Sequence, residues 1–519
     1  MKKLERSLNL TSVIAISVGG MLGSGIFVLP GLAAAKTGPS VWLAYLLAAI
    51  FILPAALSKS ELATAMPTSG GTYVYIERTF GPILGTISGI GLWLSLLLKS
   101  SFALVGFGAY LSVLIQIDFS YIKYIAIFFL LLIMLLNIHG VKKVGKVQVV
   151  IVSLSIIGLM ILLFFGLPNV SQEFLEPAFT NGNIGLLSTV AFVYISYAGV
   201  TKVAAIAGEI KNPSKNLPLA MILALVITTF LYVSIAFMLV GNIAVHDLET
   251  DIKPIYSIAY KLGGQYAGYA AAGLGIVTLV SMANSGVLAS SRFPFAMARD
   301  KLFPEFMTRI HAERLTPVVT IVMTCALMAL TILFLDVEKI AKLASAFKVM
   351  SFMLVNACVI ILRETSVQWY TPTFRSPLYP FIQIFGIISG GVLLMLLGWL
   401  PLLAVLSIFV LGTVIYFIYG TKAARTGVLK LYGHRPALYL LYNKKNRKRK
   451  LKRKRREEKS LIATTKLVSE AGVVVPLLGN ENSPEMLSEI GAAINKKSKV
   501  LTVNITEVPN QTVLDAVMD

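Results

Sequence analysis

The chain has 519 residues, of which 56% are hydrophobic and only 14% are charged, and its mean hydropathy is +0.79. A water-soluble globular protein cannot bury that much apolar surface, so the composition excludes a purely soluble fold. Much of the formal net charge of +21 comes from residues 444–459, which hold twelve basic and two acidic residues.

Apolar stretches follow one another from Leu10 to Gly420, separated by polar loops. A helix needs about 20 residues to cross the hydrocarbon core of a bilayer, and these stretches are of that order. The pattern predicts an all-α polytopic membrane protein with about twelve transmembrane helices. The predicted spans are residues 10–34, 40–65, 81–115, 121–139, 146–168, 184–208, 217–241, 266–298, 316–335, 338–362, 381–399 and 401–421.

The distribution of basic residues predicts the orientation of these spans. Cytoplasmic loops of membrane proteins carry an excess of Lys and Arg. Every second loop is basic if the N-terminus, with Lys2, Lys3 and Arg6, is cytoplasmic; one such loop contains Lys142 and Lys143. We therefore expect a multi-pass protein of the plasma (inner) membrane with both termini in the cytoplasm and no cleavable signal peptide.

Glycine residues distinguish the first and sixth spans from the others. The first contains Gly19, Gly20, Gly23 and Gly25, and the sixth contains Gly199. Glycine weakens a helix by about 1 kcal/mol relative to alanine, and unwound backbone in a membrane must line protein or a water-filled cavity. The matched positions predict a 5+5 inverted repeat in which helices 1 and 6 are broken. Alternatively, the glycines only permit close helix packing, as in GxxxG contacts.

Beyond the basic segment the composition becomes that of a soluble protein. Residues 471–479 and 499–506 are predicted strands, and residues 483–496 are a predicted helix between them. This order predicts the start of a cytoplasmic α/β domain that is too short to complete a doubly wound sheet. The chain is accordingly divided into a transmembrane domain (1–421), a basic juxtamembrane linker (422–460) and a partial α/β segment (461–519).

The basic residues at 444–459 directly follow the last predicted span and its short connecting segment. Attraction to anionic lipid headgroups supplies roughly 1 kcal/mol per basic side chain near the surface. The segment therefore predicts anionic lipid as a partner and no nucleic acid. A solvated tail that only fixes topology, or a regulatory latch, is the alternative.

Five segments in the same order resemble motifs of the amino acid–polyamine–organocation permease superfamily. They are GSGIFVLPG (23–31), SELATAMPTSGGTYVYIERTFGP (60–82), GEIKNPSKNLPLA (208–220), MARDKLFPEFMTRIHAERLTP (297–317) and FRSPLYP (374–380). The resemblance covers roughly residues 5–421 and implies a permease that works by alternating access. The tail resembles the opening of a universal stress protein domain, without the half that carries that family's nucleotide-binding glycines.

The break in the first helix predicts a site for an amino acid. A helix that restarts exposes backbone N–H groups with no intrahelical partner and a partial positive charge, which suit a carboxylate at Gly23, Ser24 and Gly25. Carbonyl groups freed near Met21 and from Ile195 onward suit an ammonium group. An α-amino acid presents both charges a short distance apart.

The resemblance implies the same residues. Gly23, Ser24 and Gly25 correspond to the family's carboxylate-binding segment, and Met21, Ile195 and Ala198 correspond to positions that bind the amino group or border the substrate side chain. Further candidates from their helical positions are Tyr194, Tyr197 and Thr201, each with a packing role as the alternative.

The substrate prediction depends on a departure from the family. Thr201 lies where many relatives carry an acidic residue, and the sequence has no Asp or Glu near either predicted break. A buried cationic side chain needs a charged partner, so small or medium neutral amino acids are favoured.

Three lysines within or near the spans are candidates for ion coupling: Lys99, Lys202 and Lys348. A lysine at the centre of a membrane helix costs about 2.5–3.5 kcal/mol on insertion scales, so it normally faces a cavity or a partner. The resemblance implies that such an ammonium group can replace a bound sodium ion and couple transport to protons. Snorkelling towards the membrane surface is the alternative.

Other residues were considered for coupling and gating. Ser153 lies about where some proton-coupled relatives carry a lysine on the fifth helix, and Ser281, Asn284 and Ser285 are alternative sodium ligands. Glu61 and Glu209 are predicted to form gate or structural ion pairs with nearby basic residues.

The sequence contains no nucleophile–base set, metal-ligand spacing or complete nucleotide motif, so it predicts neither an enzyme nor a cofactor. The leading hypothesis is a secondary active amino-acid transporter, coupled to protons or sodium or working by exchange. Two alternatives remain open from the sequence. One is an inorganic-cation importer of related fold, of the potassium type, and the other is a membrane amino-acid sensor.

Overall fold

The computed structural model describes residues 8–66, 71–139, 144–311, 316–365, 367, 369–422, 427–428, 471–477 and 499–504. Within these, the side chains of residues 119, 144–146, 201, 205–209, 422, 471–477 and 499–504 are not described. The chain forms two compact units, which comprise Met1–Arg363 with Pro372–Tyr432, and Glu364–Thr371 with Gly433–Asp519.

The first unit is built from α-helices. In chain order they are α1 (Leu10–Met21), α2 (Ser24–Phe27), α3 (Leu29–Thr37), α4 (Val41–Ala65), α5 (Thr72–Phe80), α6 (Pro82–Ile115), α7 (Ile122–His139), α8 (Val144–Gly166), α9 (Gly182–Val193), α10 (Pro213–Asn242), α11 (Val245–Leu248), α12 (Pro254–Arg299), α13 (Val318–Phe334), α14 (Val337–Thr365), α15 (Phe381–Leu396) and α16 (Trp399–Ile418). A 3₁₀ helix at Tyr194–Glu209 continues directly from α9 and is called the 3₁₀ segment below. Shorter 3₁₀ turns occur at Gly38–Ser40, Phe119–Tyr121, Leu167–Asn169, Gln172–Leu175, Glu305–Thr308 and Gly420–Lys422.

The helices have the length and composition of membrane spans. Nine helical stretches in the described part of the chain are long and apolar enough to cross a bilayer. Three shorter apolar helices, α1, α13 and α15, also coincide with predicted spans. The chain is therefore an all-α polytopic membrane protein in this unit, as the sequence predicts.

Burial separates central helices from peripheral ones. In the most apolar window of α6, 89% of residues are buried, whereas the corresponding value for α7 is 28%. The outward side of α8 carries exposed apolar side chains such as Phe164 and Phe165, which is the pattern of a lipid-facing surface. The centre of the bundle thus lies along α6.

Helices from the two predicted repeats pack against each other in corresponding pairs. The first span, α1, contacts the 3₁₀ segment of the sixth; α4 of the second contacts α10 of the seventh; and α6 of the third contacts α12 of the eighth. These contacts bring the altered parts of the first and sixth spans together at the centre of the unit.

The eighth predicted span, residues 266–298, matches the part of α12 that follows Gly264. The short helical stretch that begins at Pro254 was not predicted. Gly264 has non-helical angles, φ 70° and ψ −163°, so a short helix precedes the spanning one. Counting apolar residues along the sequence does not reveal this short helix, because the residues on both sides of Gly264 have a composition typical of helices.

The second unit contains two strands, β1 (Ala471–Leu477) and β2 (Lys499–Asn504). They pair in parallel, with Leu477 opposite Asn504 and a register shift between Ala471 and Val473. The strands lie within the two predicted from the sequence. The predicted helix at 483–496 and the basic residues at 444–459 lie outside the described residues, so the α/β segment and the lipid contact stay predictions.

Candidate functional site

The first span is interrupted at two adjacent residues. Helix α1 ends at Met21, Leu22 is extended, and Gly23 has φ 150° and ψ −128° before α2 begins at Ser24. A backbone with positive φ of this size is readily adopted only by glycine, which explains why Gly23 is needed here. The interruption falls within the predicted glycine cluster.

The helix that restarts is shorter than the sequence suggests. It contains four residues and ends at Val28, where φ −127° and ψ −47° bend the chain before α3. A macrodipole is the sum of many aligned peptide dipoles, so four residues supply little of it. Any anion at Ser24 must therefore be bound chiefly by individual N–H and O–H groups, which corrects the dipole argument made from the sequence.

The sixth span is altered in a different way. The α-helix ends at Val193, and the next sixteen residues, Tyr194–Glu209, form the 3₁₀ segment. None of these residues has positive φ. Runs of 3₁₀ helix beyond three or four residues are uncommon and often mark hinges or strain. The predicted break at Gly199 is thus a change of hydrogen-bond pattern rather than an unwound stretch.

Gly20 and Gly199 bring the two altered helices into direct backbone contact. A Cβ atom added to Gly199 would clash with the carbonyl group of Gly20 and would lie 2.5 Å from the nitrogen of Met21. A Cβ atom added to Gly20 would lie 3.2 Å from the Cα atom of Gly199. Both interpretations of the glycines therefore apply, with Gly23 forming the break and the Gly20–Gly199 pair allowing close packing.

The carbonyl groups at the end of α1 are bound by side chains of the protein. The ammonium group of Lys99 donates to the carbonyl oxygens of Gly20, at 3.1 Å, and of Ser196, at 3.4 Å. The hydroxyl of Tyr232 donates to the carbonyl oxygen of Met21 at 2.7 Å. Acceptors predicted for a substrate ammonium group are thus held by Lys99 and Tyr232 in this structure.

The N–H side of the break has a weak partner. The backbone nitrogen and the hydroxyl of Ser24 both point at the sulfur of Met282, at 3.3 Å and 3.6 Å. A thioether is a poor hydrogen-bond acceptor, so these donors are only weakly satisfied. A carboxylate in place of the Met282 sulfur would form stronger hydrogen bonds with these donors.

The remaining predicted binding residues divide into two groups. Met21, Ile195 and Ala198 are buried where α1 meets the 3₁₀ segment. The ring of Tyr194 packs against another aromatic ring, and the hydroxyl of Tyr197 donates to the carbonyl oxygen of a residue on α4, away from the break. The side chain of Thr201 lies outside the described residues.

Two tyrosines that were not predicted from the sequence, Tyr45 and Tyr232, pack beside the break together with the predicted Tyr197. Tyr45 donates to the carbonyl oxygen of Gly25 at 2.7 Å, and its ring lies 5.3 Å from that of Tyr232. The ring of Tyr197 lies 5.1 Å from the same ring of Tyr232. Phenol groups with buried partners are ordinary in cores, so their presence in the sequence gave no signal of this role.

The other two coupling lysines also lie near the altered helices. Lys202, within the 3₁₀ segment, donates to the hydroxyl of Ser285 at 3.4 Å. Its Cδ atom would lie 3.0 Å from a Cβ atom placed on Gly20. The ammonium group of Lys348, on α14, lies 4.6 Å above the ring of Phe352.

The structure does not gather the proposed sodium ligands around one point. The amide oxygen of Asn284 accepts a hydrogen bond of 2.7 Å from Asn137, whereas Ser285 donates to the carbonyl oxygen of Met282 and accepts from Lys202. Ser281 is half-buried on the same helix. A lysine ammonium group beside Ser285 opposes a second cation there.

Ser153 does not face the break. It is exposed on α8, whereas Gln148 and Val152 are the residues that contact Gly19 on α1. Two residues along the same helix, Ser155 is buried and bonded to the hydroxyl of Thr278 at 2.7 Å. The position predicted from the resemblance is therefore rotated away from the site, towards the side that carries exposed apolar residues.

Glu61 forms a buried ion pair, but with a residue far away in the sequence. Arg363 donates to both of its carboxylate oxygens, at 2.7 Å and 2.5 Å, and the backbone nitrogen of Ser376 donates at 2.8 Å. The sequence had paired Glu61 with basic neighbours such as Lys59. The side chain of Glu209 lies outside the described residues.

A second ion pair, which the sequence did not suggest, lies at the opposite end of α14. Lys36, at the end of α3, bonds Glu338, at the start of α14, at 2.5 Å. The side chains of Lys36 and Glu338 are 22% and 43% exposed, whereas the side chain of Glu61 is fully buried. Helix α14 is thus held by charge at both ends.

Comparison with known proteins identifies the family. A family model described as amino acid permease matches residues 8–427. The chain belongs to the amino acid permease family. The resemblance found from the five motifs is confirmed, and membership of the family makes the protein a transporter and not an enzyme. The resemblance of the tail to a universal stress protein stays a prediction.

Relatives of this amino acid permease cover most of its length. The branched-chain amino acid permease BcaP of Bacillus subtilis is 28% identical over 445 residues, 82% of this chain and 95% of the relative. The methylthioribose transporter of the same organism is 28% identical, over 81% of this chain and 95% of the relative. The serine/threonine exchanger SteT is also 28% identical, over 74% and 89%.

Proposed function

We propose that the protein is a secondary active transporter that carries an amino acid across the plasma membrane by alternating access, with proton coupling or exchange. The observation that carries the proposal is the interruption at Gly23, where α1 ends in backbone contact with the 3₁₀ segment. Irregular backbone at membrane depth is tolerated where it is buried in protein or lines a cavity, and in broken-helix transporters such places form the substrate site. Relatives named as a branched-chain amino acid permease and as a serine/threonine exchanger support an amino acid substrate, and the second of these names supports exchange.

The substrate site follows from the groups at the break. The N–H and hydroxyl of Ser24, with the backbone of Gly23 and Gly25, bind the carboxylate in place of the Met282 sulfur. The carbonyl oxygen of Met21 binds the ammonium group after Tyr232 turns away. Ile195 and Ala198 border the substrate side chain.

Lys99 is the residue that best fits a coupling role. Its ammonium group bridges the carbonyl oxygens of Gly20 and Ser196, one from each altered helix, as a bound metal cation would. Loss of its proton weakens this bridge, so protonation is linked to the contact between α1 and the 3₁₀ segment. Proton coupling is thereby favoured over sodium coupling, for which Ser281, Asn284 and Ser285 remain weaker candidates.

We also propose the finer architecture. About twelve spans form a 5+5 inverted repeat, and the contacts of the first, second and third spans with the sixth, seventh and eighth support it. Both termini are cytoplasmic, and the divisions at 1–421, 422–460 and 461–519 separate the transporter, the basic linker and the partial α/β segment.

Uptake by purified protein in liposomes tests the proposal. We expect a labelled amino acid from a broad panel to accumulate under an imposed pH gradient or against an internal amino acid. Ser24→Trp fills the break and abolishes uptake. Ser407→Trp, the same change at an exposed serine on α16, is the control and retains uptake.

Each alternative has its own outcome in this assay. Uptake that survives Ser24→Trp overturns the site. Binding of an amino acid without flux assigns the protein as a sensor, and flux of potassium without flux of any amino acid assigns it as a cation importer. Methylthioribose belongs in the panel, since a relative of equal identity is named for it.

A further inference from the structure

Several lysines of the helical unit are buried or half-buried, and three of them, Lys99, Lys202 and Lys348, lie on or near the altered helices. Lys59, Lys99 and Lys348 are 4%, 4% and 3% exposed, and Lys202 is half-buried. They lie on four different elements, namely α4, α6, α14 and the 3₁₀ segment. A buried ammonium group is costly in a membrane unless a partner compensates it.

The lysines are close enough together to affect one another. Lys99 bonds the carbonyl oxygen of Gly20, and the Lys202 side chain lies on another side of the same glycine. Lys348 stacks on Phe352, whose ring packs against Tyr194 at the start of the 3₁₀ segment. Lys99 and Lys202 thus approach the same glycine, and Lys348 reaches the 3₁₀ segment through Phe352.

Within the described residues, none of these ammonium groups is paired with a carboxylate. Lys99 has two carbonyl oxygens, Lys202 has one hydroxyl, and Lys348 has an aromatic ring. The nearby buried acid, Glu61, is bound by Arg363 and by the backbone of Ser376. The cluster is therefore an electropositive centre that lacks an anion.

We propose that Lys99, Lys202 and Lys348 bind a second carboxylate, so that the transporter selects dicarboxylic amino acids. This inference rests on the proposed function, because the substrate's α-carboxylate is placed at Ser24 and its side chain at the lysines. Only Met21, Leu22 and Gly23 separate Ser24 from Gly20, which Lys99 and Lys202 both contact. A short acidic side chain therefore has its partners on the other side of the same break.

The charge of the cluster also decides between classes of substrate. A cationic side chain would be repelled by three like charges in a medium of low dielectric constant. A neutral side chain would leave them uncompensated, whereas a carboxylate reduces their mutual repulsion. The sequence favours neutral substrates because it has no acidic residue near either predicted break. That absence argues against cationic substrates, but it does not argue against acidic ones.

Lys348 is the best residue for the test because it has no hydrogen bond within the described part of the chain, so its removal disturbs the fold least. In proteoliposomes of the full chain, we expect uptake of labelled glutamate or aspartate to exceed that of lysine by about tenfold or more. Lys348→Met lowers the ratio of glutamate uptake to leucine uptake about tenfold, and Lys348→Arg restores most of that ratio. Lys339→Met, at an exposed position on the same helix, is the matched control.

A second measurement does not depend on any variant. Glutamate raises the Tm of the purified wild-type protein, whereas lysine does not, because a ligand that binds the native state stabilises it. Uptake of leucine without uptake or binding of any acidic amino acid overturns this inference and leaves the proposed function intact. Failure of every amino acid with a monodisperse protein overturns the proposed function itself.

Two further outcomes overturn the inference. Acidic uptake that is unchanged in Lys348→Met shows that the lysines do not bind the side-chain carboxylate. Leucine uptake that disappears when chloride is replaced by gluconate assigns the positive centre to an inorganic anion instead of to the substrate.

Discussion

The first and sixth helices look alike in the sequence and differ in the structure. In the first, two adjacent residues, Leu22 and Gly23, interrupt the α-helix, and the freed carbonyl groups are bound by Lys99 and Tyr232. In the sixth, the chain stays helical over sixteen residues but changes to 3₁₀ hydrogen bonding, and Gly199 is needed only for contact. A glycine in a membrane helix can thus permit an unusual backbone conformation or close contact with another helix. Amino-acid composition does not distinguish these two roles.

The two altered helices are expected to differ in how easily they change shape. A break at two adjacent residues defines a fixed point with exposed donors and acceptors, which suits ligand binding. A long 3₁₀ helix has poorer hydrogen-bond geometry than an α-helix, so its length and twist are easier to change. We expect the first helix to supply the binding groups and the sixth to supply most of the movement.

The largest effect is expected from Gly199→Ala. Overpacking usually costs about 1–3 kcal/mol of stability. Here the added methyl group meets the backbone of Gly20 and Met21, which cannot rotate away as a side chain can. We therefore expect a destabilisation near the upper end of that range and loss of transport. Thermal unfolding and uptake measure this. Gly273→Ala, where no atom lies within 4 Å of the added carbon, is the control and leaves the Tm unchanged or higher. A Gly199→Ala protein with normal Tm and uptake would show that the helices are not in contact.

Gly23→Ala has the next largest expected effect. A non-glycine residue at this backbone conformation costs about 1–3 kcal/mol, and the methyl group also meets the Met282 side chain, which is flexible and can move. Adding Met282→Ala should relieve only the contact. Comparison of the Tm values of the single and double variants separates the cost of the backbone conformation from the cost of the contact with Met282. Full recovery of the Tm in the double variant would mean that Gly23, like Gly199, is needed only for close packing.

Tyr232→Phe should have the smallest effect of the three. It removes the hydroxyl from the carbonyl oxygen of Met21 and leaves that acceptor buried, a loss of about 1–3 kcal/mol that water or a substrate ammonium group can partly recover. We expect a lower Tm without substrate and a lower KM for transport. Tyr260→Phe, at an exposed tyrosine on α12, is the control. A KM that rises instead would show that Tyr232 binds the substrate directly.

The sequence predicts features that local composition determines. The interruption at Gly23, the burial of Lys99 within its span and the strands β1 and β2 all follow from residue types in one stretch of chain. Rotation about a helix is harder to predict, as Ser153 shows. Two residues turn an α-helix by about 200°, so a small alignment error moves a side chain from the core to the lipid side.

Features that depend on distant residues could not be predicted. Glu61 and Arg363 are 302 residues apart, as are Lys36 and Glu338, so only the fold brings them together. Gly199 indicated an altered helix in the sixth span, but residue types did not indicate that the alteration would be sixteen residues of 3₁₀ helix. Likewise, a buried lysine is evident from the sequence, but the two carbonyl oxygens that bind Lys99 belong to different helices.

The unequal ion pairs at the ends of α14 define an axis for its motion. The Arg363 end is anchored by two bonds to a fully buried carboxylate, whereas the Lys36 end is held by a partly exposed pair that water can replace. A helix that is held firmly at one end and weakly at the other is expected to rotate about the firmly held end. We therefore expect any movement of α14 to pivot about Arg363 and to separate Lys36 from Glu338 first.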